Sequence, residues 1–265
     1  MNLCSIASGS SGNCIFVSSD STSILIDAGI SGKRTEQGLN EIGYTLKDLD
    51  GIFITHEHAD HIKGLGVLAR KLGVPLYMTD KTREAVMKTE NIGKIPEELF
   101  RSVAPDRVTH IGDLEIHPFR IPHDAADPVG CRVQCGKQSL AVATDMGEFN
   151  ASIIEHLRDL DVLLLEANHD VHMLEAGIYP YYLKQRILSS RGHLSNEDAG
   201  HLLCEVLHDD IRQILLGHLS RENNYPALAY ETVCAEITMG DNPWKAKDFN
   251  IGIARRDMTG ELISW

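Results

Sequence analysis

No stretch of this sequence approaches the roughly 20 consecutive apolar residues that a membrane-spanning helix needs, which excludes that class of membrane protein. The opening residues, Met1-Asn2-Leu3-Cys4-Ser5-Ile6-Ala7, hold no basic cluster and no long apolar core. No secretory signal is therefore expected, and the expected compartment is the cytoplasm. Internal repeats, low-complexity tracts and Pro/Gly-rich linkers are also lacking, so a single domain over residues 1–265 is expected. The cysteines at 4, 14, 131, 135, 204 and 234 form no C-x-x-C pair. A chain of this length does not need disulfide staples, and buried reduced thiols are expected. Basic residues are scarce: 25 Lys and Arg face 38 Asp and Glu, for a formal charge of −13. An acidic surface repels nucleic acid at long range, so charge alone argues mildly against that ligand. Bound cations or a local basic cluster would offset the repulsion.

Histidine is plentiful instead, with 13 residues. Six of them sit in short polar motifs beside Gly, Asp or Asn. Around these motifs the apolar pattern predicts short strands at Leu3–Ala7, Cys14–Ser18, Ser23–Asp27, Gly51–Thr55 and Leu76–Met78. Helices are predicted at Ser31–Ile42, with Ser31 as N-cap, and at Ile62–Leu72. Arg107–Thr144 reads as mostly β, including a hairpin of Val129–Gln134 and Ser139–Thr144 around Gly136-Lys137. Then strands (Asp161–Glu166, Ile211–Leu216, Asn250–Arg255) alternate with helices (Tyr181–Leu188, Asn196–Leu207, Ala227–Met239). Such an order suits two packed sheets with helices outside.

The strongest motif is Thr55-His56-Glu57-His58-Ala59-Asp60-His61, between a buried strand and a helix. His56 and His58, two apart in an extended tip, can point the same way. Asp60 and His61 follow into the helix and can face a second ion. Imidazole suits Zn²⁺, Fe and Mn²⁺, and the carboxylate adds a harder, negative ligand.

This H-x-H-x-D-H run resembles the metal signature of the metallo-β-lactamase fold superfamily. The resemblance implies an α/β fold, an αββα four-layer sandwich, with a further His, a bridging Asp and a final His at later strand ends. Pro122-His123-Asp124, Thr144-Asp145-Met146 and Gly217-His218-Leu219 stand at those places. By the resemblance, His56, His58 and His123 hold one divalent ion and Asp60, His61 and His218 hold a second. Asp145 bridges the two, and Asp60 counts among the catalytic residues as well. Two such cations, about 3.5–4 Å apart, acidify a shared water and clamp the attacking and leaving oxygens. Zn, Mn and Fe all fit the ligand set.

Gly192-His193-Leu194-Ser195 before a helix, with Glu166-Ala167-Asn168-His169 after a strand, is similar to the tRNase Z-like phosphodiesterase branch. That similarity implies His193 as proton donor to the leaving oxygen, oriented by Glu166. The loop Ser8-Gly9-Ser10-Ser11-Gly12-Asn13-Cys14, taken with Gly192–Asn196 and Leu216–Asn224, resembles the YycJ/WalJ group. The implied activity is a 5′→3′ exodeoxyribonuclease linked to DNA repair, with DNA a better match than RNA. Ser8, Ser10, Ser11 and Asn13 would then cradle a phosphate, beside Arg221. Lys33, Arg34, Lys63 and Arg191 flank the same motifs as further backbone contacts. The arm by which tRNase Z enzymes grip tRNA has no counterpart here. A small-molecule hydrolase on the same fold (cyclic phosphodiesterase, thioesterase or lactonase) would use the same ligands. A di-iron oxidoreductase would carry Glu where this chain has His58.

Overall fold

Ile, Val, Leu and Phe dominate the first apolar runs, and they form strands because branched and aromatic side chains pack well on a pleated surface. The computed structural model describes residues 1–265, and its contacts divide the chain into two units. The first comprises Met1–Arg120, Ala125–Gln138 and Arg255–Trp265; the second comprises Ile121–Asp124 and Ser139–Ala254.

In the first unit β1 (Asn2–Ala7), β2 (Cys14–Ser18) and β3 (Ser23–Ile26) pair antiparallel. The pairing then turns parallel through β4 (Gly51–Phe53), β5 (Leu76–Met78) and β6 (Phe100–Ser102). Parallel neighbours need crossovers. These run through α1 (Gly32–Glu41), then α2 (Ala59–Ile62) and α3 (Leu65–Leu72), then α4 (Asp80–Lys88). The C-terminal strand Ile263–Ser264 joins β1 and completes a seven-stranded sheet. Three more strands, β7 (Thr109–Ile111), β8 (Leu114–Arg120) and β9 (Val129–Cys135), pair antiparallel. The apolar cluster joins Phe16, Leu25 and Ile52 from the sheet to Leu39, Leu65 and Leu68 from the helices. Each such side chain contributes about 1.5–3 kcal/mol by leaving water.

Ser31 caps α1 as the sequence predicts, accepting the Arg34 N–H at 3.3 Å. The single helix expected over Ile62–Leu72 is two helices. Gly64 donates its N–H to the Ala28 carbonyl at 2.8 Å, and a Cβ on it would lie 2.0 Å from the Ile30 carbonyl oxygen. This close backbone contact interrupts the helix, whose first turn begins earlier, at Ala59, and so includes Asp60 and His61.

β10 (Gln138–Ala143) leads into the second unit, where β11 (Val162–Glu166), β12 (Gln213–Gly217) and β13 (Ile251–Ile253) follow it in parallel. The connecting helices are α5 (Ala151–Leu157), α6 (Val171–Ala176), α7 (Tyr181–Ile187), α8 (Asn196–Val206) and α9 (Pro226–Met239). β11 is buried along its whole length, which explains its unbroken Val-Leu-Leu-Leu. The sequence reading did not separate α4, α5, α6, β6 or the C-terminal strand. No helix is long and apolar enough to cross a membrane. All six cysteines are free, and burial pushes the Cys4 and Cys14 thiols up to about 12.

Candidate active site

In parallel sheets the carboxyl ends of strands are where side chains converge on ligands. Both units use theirs in this way.

In the first unit β3 ends at Asp27 and β4 runs on to Thr55-His56. Asp27 takes the left-handed conformation (φ 63°), which turns the chain sharply at the strand end. Its Oδ2 lies 2.7 Å from His61 Nδ1, and its Oδ1 accepts the Thr55 N–H at 2.9 Å. The Thr55 hydroxyl reaches Asp27 Oδ2 at 2.9 Å and His56 Nδ1 at 3.0 Å. The donor pattern has one consistent solution. Nδ1–H of His61 donates to the carboxylate, and Nδ1–H of His56 donates to the hydroxyl, which itself donates to Asp27. Both imidazoles are thereby fixed with a lone pair on Nε2, the state a metal ligand requires. His58 stands at the start of α2 with its ring 4.7 Å from that of His56, and the His61 ring is 4.0 Å from His56.

The Ser8–Asn13 loop closes the β1–β2 hairpin against His61. Asn13 Nδ2 is 3.0 Å from His61 Nε2, its Oδ1 accepts the Gly9 N–H at 2.9 Å, and its own N–H donates to the Asp60 carbonyl at 2.7 Å. Gly29 passes so close to Asp60 that a Cβ would fall 1.6 Å from the Asp60 carbonyl oxygen. Ser8 and Asn13 are buried, whereas Ser10 and Ser11 at the tip are exposed.

In the second unit Asp145 follows β10, Glu166 ends β11 and His218 follows β12. Asp145 and His218 are again left-handed, at φ 63° and 55°. Holding each there costs about 1–3 kcal/mol, a cost met by the surrounding hydrogen bonds. Glu166 is fully buried. Its Oε1 lies 2.8 Å from His193 Nδ1 and 3.0 Å from His218 Nδ1, and its Oε2 accepts the N–H groups of Met146 at 2.9 Å and Leu194 at 3.3 Å. Burial alone would raise its pKa. The positive charge of His193 and the hydrogen bonds from His193 and His218 outweigh burial and hold the carboxyl at about 2. Glu166 is thus an ionised acceptor that fixes Nδ1 of both rings as donors. His123 Nδ1 donates to the Gly192 carbonyl at 2.9 Å. Asp145 Oδ1 lies 3.4 Å from His218 Nε2, 3.6 Å from His193 Nδ1 and 3.9 Å from His123 Nε2. Ligand atoms of Asp145, Glu166, His193 and His218 all fall within 4.8 Å of one another.

These donor assignments test for a metal. His218 Nε2 carries a lone pair yet faces the Asp145 carboxylate oxygen at 3.4 Å. Acceptor facing acceptor is unfavourable without a cation between them. The donors are imidazole nitrogens and carboxylate oxygens, the set that Zn, Mn and Fe take. In the second unit the residues fit a divalent ion.

A family model described as the β-lactamase superfamily domain matches residues 22–218. The chain belongs to the metallo-β-lactamase superfamily. Among relatives of this superfamily protein, the exodeoxyribonuclease WalJ of Streptococcus pneumoniae is 41% identical over 89% of the chain and 88% of its own length. The exodeoxyribonuclease YycJ of Bacillus anthracis is 41% identical over 94% of the chain and 91% of its own length. In fold, the superfamily protein matches zinc-bound PqqB from Methylobacterium extorquens with a TM-score of 0.72. That match has 15% identity and covers 98% of this chain and 100% of the other. The architecture is the αββα sandwich of the superfamily, two mixed sheets flanked by helices.

Of the basic residues flanking the motifs, Arg34 is engaged with the Arg256 carbonyl at 2.8 Å and Arg191 with the His123 carbonyl at 2.9 Å. Lys33, Lys63 and Arg221 are exposed. Three supporting residues escaped the sequence reading: Asp27, Thr55 as its partner, and Asn168, whose Nδ2 donates to the His218 carbonyl at 2.8 Å. An Asp directly after the apolar run Ile24-Leu25-Ile26 and before Ala-Gly was the signal available for Asp27.

Proposed function

We propose that this superfamily protein is a two-metal phosphodiesterase, a 5′→3′ exodeoxyribonuclease that serves DNA repair in the cytoplasm. The observation that carries the reading is the shared Glu166 carboxylate. It orients one imidazole, His218, which would serve as a ligand, and a second, His193, which would be left for proton transfer. Relatives that align over most of the chain and bear the name exodeoxyribonuclease support DNA as the substrate.

In this reading His56, His58 and His123 would hold one divalent ion and Asp60, His61 and His218 the other, with Asp145 as a ligand common to the two. When bound, a pair of Zn, Mn or Fe ions supplies Lewis acidity toward the phosphate and an acidified water. The chain supplies the rest. Asp27 and Thr55 hold His56 and His61 in the ligand tautomer. Glu166 keeps Nδ1 of His193 as a donor, so Nε2 is the atom that passes a proton to the leaving oxygen. His193 keeps 18% of its side chain exposed, enough for a substrate to reach it. Ser10, Ser11 and Arg221 are the proposed phosphate contacts. Asn13, being buried, acts by holding the loop on Asp60 and His61, and buried Ser8 donates its N–H to the Arg255 carbonyl at 3.2 Å.

The test is digestion of 5′- and 3′-labelled DNA and RNA, single- and double-stranded, by the metal-loaded protein. Labelled mononucleotide released at once from the 5′-labelled DNA is expected. Release from the 3′ end first, or activity only on small cyclic phosphates, would overturn the exonuclease reading.

A further inference from the structure

Between Glu175 and Glu197 the second unit carries no carboxylate, in a chain whose net charge is −13. The same stretch holds Lys184, Arg186 and Arg191, and it exposes a run of large apolar and aromatic side chains. Ile178 is 87% exposed, Tyr181 76% and Tyr182 74%. Leaving such surface in water is unfavourable, and an apolar patch rimmed by polar residues marks an interaction site. On α7 the side chains three and four apart lie on one face. Tyr181 therefore has Lys184 one turn on, and Tyr182 has Arg186 one turn on. Rings alternating with cations match a single strand of nucleic acid, whose bases offer flat faces and whose backbone offers one negative charge per nucleotide.

The patch is continuous in sequence and in hydrogen bonding with the proposed catalytic groups of its own unit. The turn after α7 carries Arg191, whose guanidinium donates to the His123 carbonyl at 2.9 and 3.2 Å. The next residue, Gly192, accepts the His123 Nδ1–H, and His193 follows it. The Arg186 guanidinium pairs with both carboxylate oxygens of Asp124, beside His123. That pair tethers α7 to the His123 segment, whereas Lys184 Nζ donates to the neutral Glu175 carbonyl at 2.7 Å, which leaves its charge uncancelled by that partner.

We infer that Tyr181 and Tyr182, with Lys184, form a stacking platform for single-stranded DNA leading to His193. The inference rests on the nuclease reading and names its substrate more closely: a single strand, held by ring stacking without base-specific contacts.

The experiment measures binding of the metal-loaded protein to a ~12-nucleotide phosphorothioate oligothymidylate, within single-strand site sizes and resistant to cleavage. Fluorescence anisotropy is read over a salt series for wild type, Tyr181→Ala/Tyr182→Ala and Tyr181→Phe/Tyr182→Phe. Loss of two stacked bases weakens binding about tenfold or more in the Ala variant. The Phe variant, which keeps both rings, binds like wild type. The salt slope changes little between variants, because stacking releases no counterions. Equal affinity for wild type and the Ala variant, or equal loss in the Phe variant, would overturn the platform. The nuclease reading is judged separately by labelled-end digestion. DNA digestion with no tyrosine dependence of binding sinks the platform alone, and ring-dependent binding without any digestion sinks the nuclease alone.

Discussion

Asp27 Oδ2 lies 2.7 Å from Nδ1 of His61, with both side chains almost wholly out of solvent. A carboxylate behind a ligating imidazole fixes its tautomer and its direction. Losing such a partner typically costs 10–100-fold in metal affinity. Asp27→Asn tolerates the left-handed backbone, removes the charge and sets an amide NH2 against one of the Thr55 and His61 donors. Chelator competition should show one ion bound about 10–100-fold more weakly. Unchanged affinity would mean that Asp27 merely fills space.

His193 and Glu166 separate chemistry from ligation. His193→Ala is expected to keep both ions and to lower turnover by roughly 10²–10⁴. Glu166→Gln places an amide against two Nδ1–H donors that need an acceptor, one of them on His218, a proposed ligand. It should therefore lose metal as well as turnover. Metal content by mass spectrometry, beside turnover, distinguishes the two. A His193→Ala protein that loses an ion would make His193 a ligand.

Gly29 is required by contact rather than by conformation. With 1.6 Å between its would-be Cβ and the Asp60 carbonyl oxygen, Gly29→Ala must displace α2 or the loop. Expected outcomes are a lowered melting temperature and loss of metal, read by calorimetry and mass spectrometry. Wild-type metal content in the variant would contradict the tight seat assigned to Asp60.

His169 gives a pH signature. It is 1% exposed, neither ring nitrogen has a hydrogen-bond partner, and burial lowers its pKa from 6.5 to about 4, partly opposed by the charge of Glu166. The unfolded chain therefore takes up this proton more readily than the folded one. The stabilising contribution is complete above about pH 6.5 and is lost progressively as pH falls toward about 4. The total is about 3 kcal/mol. Glu166, held at about 2 against an ordinary 4.5, loses its contribution in a separate window, as pH falls from about 4.5 toward 2. Urea unfolding between about pH 7 and 4.5 should show a smaller slope in His169→Phe than in wild type. Equal slopes would place the proton elsewhere.

Much of the fold was legible because the buried strands are short apolar runs that end at turn residues, as at Val162–Glu166. The metal motifs were legible because His56, His58, Asp60 and His61 crowd into six residues. α4 was not, since Asp80–Lys88 buries only Thr82 and Val86 and so lacks an apolar stripe. The break at Gly64 was hidden because its cause, the backbone of Ala28 and Ile30, is distant in sequence. Asp27 was hidden for the same reason: alone it reads as a turn residue, and its role depends on His61 folding back to it.

The central claim is a dinuclear centre, and metal stoichiometry tests it most directly. Protein loaded with Zn²⁺ or Mn²⁺ and freed of excess ion should carry two ions per chain by mass spectrometry. Asp145→Ala, still folded by circular dichroism, should carry one or none and have almost no activity. A wild-type protein that saturates at a single ion, or an Asp145→Ala protein that retains two, would contradict it.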